Sequence, residues 1–199
     1  MSDLLRLPVL MEMVRQTVSD PSEGAEAILR LGLPRAALWL AFSLMIVLSM
    51  ILGILVMLAL GPPEDGPLTG QSPVVLGLLQ GAFLFLGVHA IVRIGHIFGG
   101  TGGFDGALAL VTWLQFIFIV LQVVQLVFAL VVPPLAGIVS LLAIALFFWL
   151  LSHFITVLHG FTSVGQVFLM TLLSFLGILF TLSLVLTLLG IGLPTEPSI

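Results

Sequence analysis

The sequence predicts an all-α fold: a polytopic membrane helical bundle with five transmembrane helices and a short amphipathic N-terminal segment. Three observations carry this. No Asp, Glu, Lys or Arg occurs from Gly106 to Thr195, and a soluble domain cannot cover its surface with such a stretch, because water-facing positions need solvated groups. The chain is 60% hydrophobic and 7% charged with a mean hydropathy of +1.36, which lies outside the soluble range. Its apolar runs reach the roughly 20 residues of a bilayer crossing and do not alternate, so helices rather than barrel strands are expected.

Residues 1–33 form the amphipathic segment, expected on the cytoplasmic side. Leu7, Leu10, Met11, Val14 and Val18 follow a helical period, with Glu12, Arg15 and Gln16 opposite. A second short helix follows, with Asp20 as N-cap, Pro21 at the first helical position, Glu23 in the first turn and a Glu26–Arg30 pair at i,i+4. Two roles fit such helices: docking to the membrane surface or a partner, or packing on the chain's own bundle. The first residues carry charge throughout and lack a continuous apolar core. A cleavable signal peptide is therefore not expected, and the first span serves as signal-anchor.

Residues 34–190 form the membrane domain. The first span runs from Ala36 to Leu60 and ends at Gly61-Pro62-Pro63. The second runs from Val74 to about Ile97 and ends in the cluster Gly99 to Gly103. The third covers Gly106 to Val132, the fourth Leu135 to Leu158, and the fifth Val164 to Leu189. Gly and Pro end each one, as the residues least compatible with a continuing helix. At Pro133-Pro134 a hairpin is expected rather than a kink, because the apolar stretch around the pair is about two membrane thicknesses long.

Arginine placement sets the orientation. Arg6, Arg15, Arg30 and Arg35 precede the first span, whereas the following loop has Glu64 and Asp65 but no base. The positive-inside rule then places the N-terminus in the cytoplasm. Arg93, His96, Asp105, His153 and His159 fall near that same side, and residues 191–199 form a short tail on the other.

Other classes are disfavoured. A net charge of −4 and the absence of lysine argue against nucleic acid. Without cysteine there is no disulfide, thiolate site or cysteine nucleophile. No paired catalytic carboxylates, Ser/His motif or H-E-x-x-H sequence appears, so no enzyme and no cofactor is expected.

The remaining polar groups are the candidate sites. Gly99, Gly100, Gly102 and Gly103 allow a tight turn and close approach of helix ends. His89, Arg93 and His96 share one face of the second span. Arg93 either snorkels to the interface or pairs with Asp105 across the glycine turn, which would lock the hairpin. Gln115, Gln122 and Gln125 on the third span read as interhelical hydrogen-bonding groups, with a polar pathway as the alternative. Gly77 and Gly81, with Gly177 and Thr181, have small-xxx-small spacing suited to packing within the molecule. His153 and His159 complete the histidine set; a metal bound between helices is the minor alternative. A shift of 57 residues (153 − 96) lays His96 on His153, Gly103 on Gly160 and Phe104 on Phe161, which suggests two related hairpins.

The stretch HIFGGTGGFDGALALVTW, from His96 to Trp113, resembles the central signature of the Yip domain family, the Ypt-interacting membrane proteins of Yip-one type. LHGFTSVGQVFL, from Leu158 to Leu169, resembles the turn before that family's last span. The likeness covers roughly Leu31 to Leu189. It implies a five-span, non-enzymatic membrane protein with a cytoplasmic N-terminus. Eukaryotic relatives are associated with Rab GTPases and vesicle traffic, and bacterial members mostly lack an assigned role. The compact N-terminal segment points to the bacterial branch and to an inner membrane.

The function expected is therefore structural, adaptor or membrane-organising. A transporter or channel is the alternative, and an accessory subunit of a larger membrane complex a third. The bilayer is the expected environment; a membrane-protein partner and a homo-oligomer both stay open.

Overall fold

A computed structural model describes residues 6–61 and 72–188. The loop acids Glu64 and Asp65, the end of the fifth span at Leu189 and the tail from residue 191 lie outside the described residues.

Two short helices lead into five long ones: α1 (Leu7–Ser19), α2 (Pro21–Arg30), α3 (Arg35–Leu60), α4 (Pro73–Ile97), α5 (Phe104–Val131), α6 (Pro133–His159) and α7 (Val164–Leu188). Helices α3 to α6, and Val164–Thr181 within α7, are long and apolar enough to cross a membrane. They include the five predicted spans, with ends displaced by at most two residues among those described. Pro133 and Pro134 open α6 after a non-helical Val132 (φ −141°, ψ 78°), so the proline pair makes a hairpin, and Pro at the first helical turn costs no hydrogen bond.

The Asp20 carboxylate caps α2 by accepting the Glu23 amide at 3.0 Å, and Arg30 donates to Glu26 at 2.6 Å. The pair α1–α2 packs on the bundle. Ala25 and Ile28 of α2 enter a core with Leu110, Trp113, Leu114 and Ile117 of α5 and Leu150 and Phe154 of α6. Thr17 ties α1 to the same place: its hydroxyl accepts Trp113 Nε1–H at 3.1 Å and donates to the Met13 carbonyl. Gly24 passes so near Thr17 that a Cβ there would lie 2.8 Å from the Thr17 Cα.

Helix α5 is the shared element. Its other side joins Leu38 and Phe42 of α3 and Val88 of α4, around Ala107, Leu108 and Val111. Burial is concentrated at one end of the bundle. Residues Ala107 to Ile117 of α5 are largely buried, whereas Val123, Val127, Val131, Leu135, Ile138 and Leu142 are exposed. Exposed apolar side chains on helices of this length suit contact with lipid tails. The starts of α3, α5 and α7 and the ends of α4 and α6 share the better-packed end, which also holds α1 and α2.

Small residues close the α3–α4 contact. A Cβ on Gly77 would overlap Met50, and one on Gly81 would meet Ile46 at 2.8 Å, the intramolecular packing expected of that spacing. The second proposed pair behaves differently. Gly177 has nothing within 4 Å, and Thr181 only turns back onto the Gly177 carbonyl.

At the matched positions of the 57-residue echo the local backbone differs. Gly103 is the N-cap of α5 with φ −94°, whereas Gly160 follows α6 with φ +71°. His96 stands beside the end of α4 and His153 well inside α6. The coincident letters occupy different places in their turns.

Candidate functional site

The most elaborate polar arrangement surrounds His159, the last residue of α6. Its side chain is 3% exposed. Nε2–H donates to the Ile91 carbonyl of α4 at 3.2 Å, and Nδ1 accepts the Gly102 amide at 3.0 Å. A neutral imidazole protonated on Nε2 meets both demands. The Gly102 carbonyl accepts His96 Nε2–H at 2.8 Å. One residue of the α4–α5 turn, Gly102, is thus held through its amide and its carbonyl by two histidines from two helices, with ring centroids 5.9 Å apart. Phe161 stacks on His159 at 5.5 Å.

The glycines explain why the ring fits. A Cβ on Gly95, Gly100 or Gly102 would lie closer than 3.0 Å to His159 atoms, so three missing side chains make its bed. Gly99, at φ +85°, is needed for its backbone: it ends α4 while its amide reaches the His96 carbonyl and the Gly100 amide reaches that of Gly95. This 6→1 and 5→2 pattern is the Schellman ending, which favours glycine at that position. Gly160 ends α6 in the left-handed region, and the Phe161 amide bonds the Thr156 carbonyl.

A second cluster lies on the same end. Arg35 Nε donates to Asp105 at 2.8 Å and Arg35 sits over the Phe104 ring at 5.9 Å. The pair predicted for Asp105 is therefore corrected: its partner is Arg35, the first residue of α3, not Arg93. Arg93 is exposed and makes no ion pair or hydrogen bond among the described residues. Phe104 also touches Trp39, Phe85 and His89, with centroids 6.2, 6.4 and 5.1 Å away. His89 Nδ1–H donates to the Phe85 carbonyl at 3.0 Å.

The other candidates stand apart from both clusters. His153 donates to the Trp149 carbonyl at 2.8 Å and its ring lies against Trp149. Gln115 reaches Ser49 of α3 at 2.8 Å, and Gln125 reaches Ser140 of α6. Gln122 is half-buried with no such partner among the described residues. Gly103 caps the start of α5 and is open to substitution sterically. Among the described residues, no group of three or more His, Asp or Glu is arranged to hold a metal.

Three elements escaped the sequence. Gly95 looked like an ordinary helical glycine, although its position beside His96 at the helix end was a signal. Thr17 and Trp113 lie 96 residues apart, and no local pattern joins them. Ser49 and Ser140 were the unnoticed partners of the glutamines.

The fold and these contacts define a class: a polytopic α-helical membrane protein whose helix ends are joined by glycine turns on the side of an amphipathic N-terminal hairpin. The Yip1 domain matches residues 15–186, and the chain belongs to that family. The matched region begins within α1 and includes all of α2, so the docked hairpin is largely inside it. Neither the curated proteins nor the solved structures give a match.

Proposed function

We propose that this protein is a non-enzymatic membrane-organising scaffold, with α1–α2 as its docking platform. The observation that carries this is the use of its intramembrane polar groups. Gln115 and Gln125 bond to neighbouring helices, and His159 and His96 bond to backbone groups. Transport would need polar groups facing a wet path. Between α4, α5 and α6 there is instead a crevice of about 10 Å³ lined by Ile91, Leu110, Leu114, Phe154 and other apolar side chains, barely the size of one water and without polar partners for it.

The outer face of the hairpin suits a protein partner better than a lipid surface. Glu12 with Arg15 and Glu26 with Arg30 give it mixed charge, whereas lipid-binding helices are strongly basic. The orientation proposed is a cytoplasmic N-terminus, in a bacterial inner membrane; Arg6, Arg15 and Arg30 before α3 and Arg35 at its first position support the orientation. Residues 1–33, 34–190 and 191–199 are proposed as platform, membrane domain and tail.

Site-specific photo-crosslinking from Glu12 and Glu26 in native membranes tests the platform. Discrete adducts with another membrane protein, or with a second copy, are expected. Solute flux through liposomes carrying the purified protein, with no crosslinked species, would favour the transporter reading.

A further inference from the structure

We propose that the rim of the α4–α5 turn seats an anionic phospholipid, with the Arg93 guanidinium holding its phosphate. Arg93 stands four residues after His89 and three before His96, so the three share one side of α4. His89 lies against Phe104, the first residue of α5, and His96 bonds Gly102 in the turn before it. The inward face of α4 is marked by the buried Gly81, Val88 and Gly95. Helical spacing turns Arg93 well away from these, toward lipid.

Depth favours a headgroup. Arg93 is one turn from the end of α4, about 6 Å along the axis. The helix has 25 residues, more than the roughly 20 that the hydrocarbon layer requires. An arginine there lies where phosphates begin. Its planar fork matches two phosphate oxygens, and charge-assisted bonds of this kind are the stronger ones.

Charge favours an anionic lipid over a zwitterionic one. Asp105 is the only acidic residue in the described chain from Ser72 onward, and Arg35 already holds it at 2.8 Å. A phosphate at Arg93 meets no free carboxylate, and a headgroup ammonium finds none. Phe104, Phe85 and the partly exposed Trp39 form a joined aromatic wall that reaches His89, one turn before Arg93, of the kind enriched at membrane interfaces.

The test titrates the full-length protein in mild detergent with phosphatidylglycerol, phosphatidylethanolamine or inorganic phosphate, reading bound lipid by native mass spectrometry and melting temperature. Phosphatidylglycerol should bind preferentially and raise the melting temperature, and inorganic phosphate alone should not. Arg93→Gln should weaken phosphatidylglycerol binding about tenfold, while Arg15→Gln, an equal loss of charge on α1, changes it less than twofold. Equal losses in the two variants, equal binding of the two lipids, or a shift with phosphate alone would overturn the proposal. So would an Arg93→Gln protein that fails to fold, because Arg93 would then have a structural role.

Discussion

The Gly102 amide donates to His159 Nδ1 at 3.0 Å across 57 residues of sequence. This bond joins the α4–α5 turn to the end of α6. The ring that accepts it lies in a hollow made by Gly95, Gly100 and Gly102. Turn and ring are complementary: the glycines are small because the imidazole is there, and the imidazole is satisfied because the turn presents an amide to it.

Substitution at the cradle should therefore depend on position. Gly95→Ala and Gly100→Ala push a methyl into His159 and should cost about 1–3 kcal/mol, the usual range for overpacking. Gly87→Ala, with nothing within 4 Å, should leave the melting temperature unchanged or slightly raised, since alanine is the better helix former. Thermal unfolding of the three variants in one detergent checks the order.

Removal of the ring should be costly too. His159→Ala empties a buried site and leaves the Gly102 amide without its acceptor. A loss of about 2–4 kcal/mol is expected from cavity and unpaired donor together. Gly95→Ala combined with His159→Ala should then cost less than the sum of the two, which a double-mutant cycle reads directly.

The ion pair predicts a different pattern. Arg35 and Asp105 are 65% and 50% exposed, so solvent screening holds their coupling below about 1 kcal/mol. Arg35→Gln and Asp105→Asn should show that small coupling. Arg93→Gln and Asp105→Asn should be additive. A coupling larger for Arg93 than for Arg35 would contradict the geometry.

Docking of α1 combines the apolar Leu10, Met13 and Val14 with one buried hydroxyl, that of Thr17. Thr17→Val keeps the shape but removes the acceptor of Trp113 Nε1–H, and should cost about 1–3 kcal/mol. The effect should be local. Hydrogen exchange should rise across Leu7–Ser19 while α5 stays protected, and protection lost evenly through the bundle would contradict a separately docked hairpin.

The spans and the hairpin at Pro133 were legible because Gly and Pro punctuate long apolar runs, and helix ends are local events. The Asp20 cap and the Glu26–Arg30 pair were legible for the same reason: both lie within four residues. The choice between Arg35 and Arg93 as partner of Asp105 was not. It depends on how α3 and α4 rotate about α5, and apolar faces on every side leave little periodic signal of rotation. The His159 site was half legible. The glycines and the histidine stood out separately, but the ring is brought to the turn only by the packing of α6 on α4 and α5.

The central claim is that the chain crosses the bilayer five times from a cytoplasmic N-terminus, with the polar helix ends and α1–α2 on that side. Because the chain has no cysteine, single cysteines report without background. The decisive measurement is maleimide labelling of Ser19→Cys and Ser198→Cys in sealed right-side-out vesicles, with a reagent that cannot cross membranes. Ser198→Cys should react at once and Ser19→Cys only after permeabilisation. Labelling of both from the same side would contradict the account.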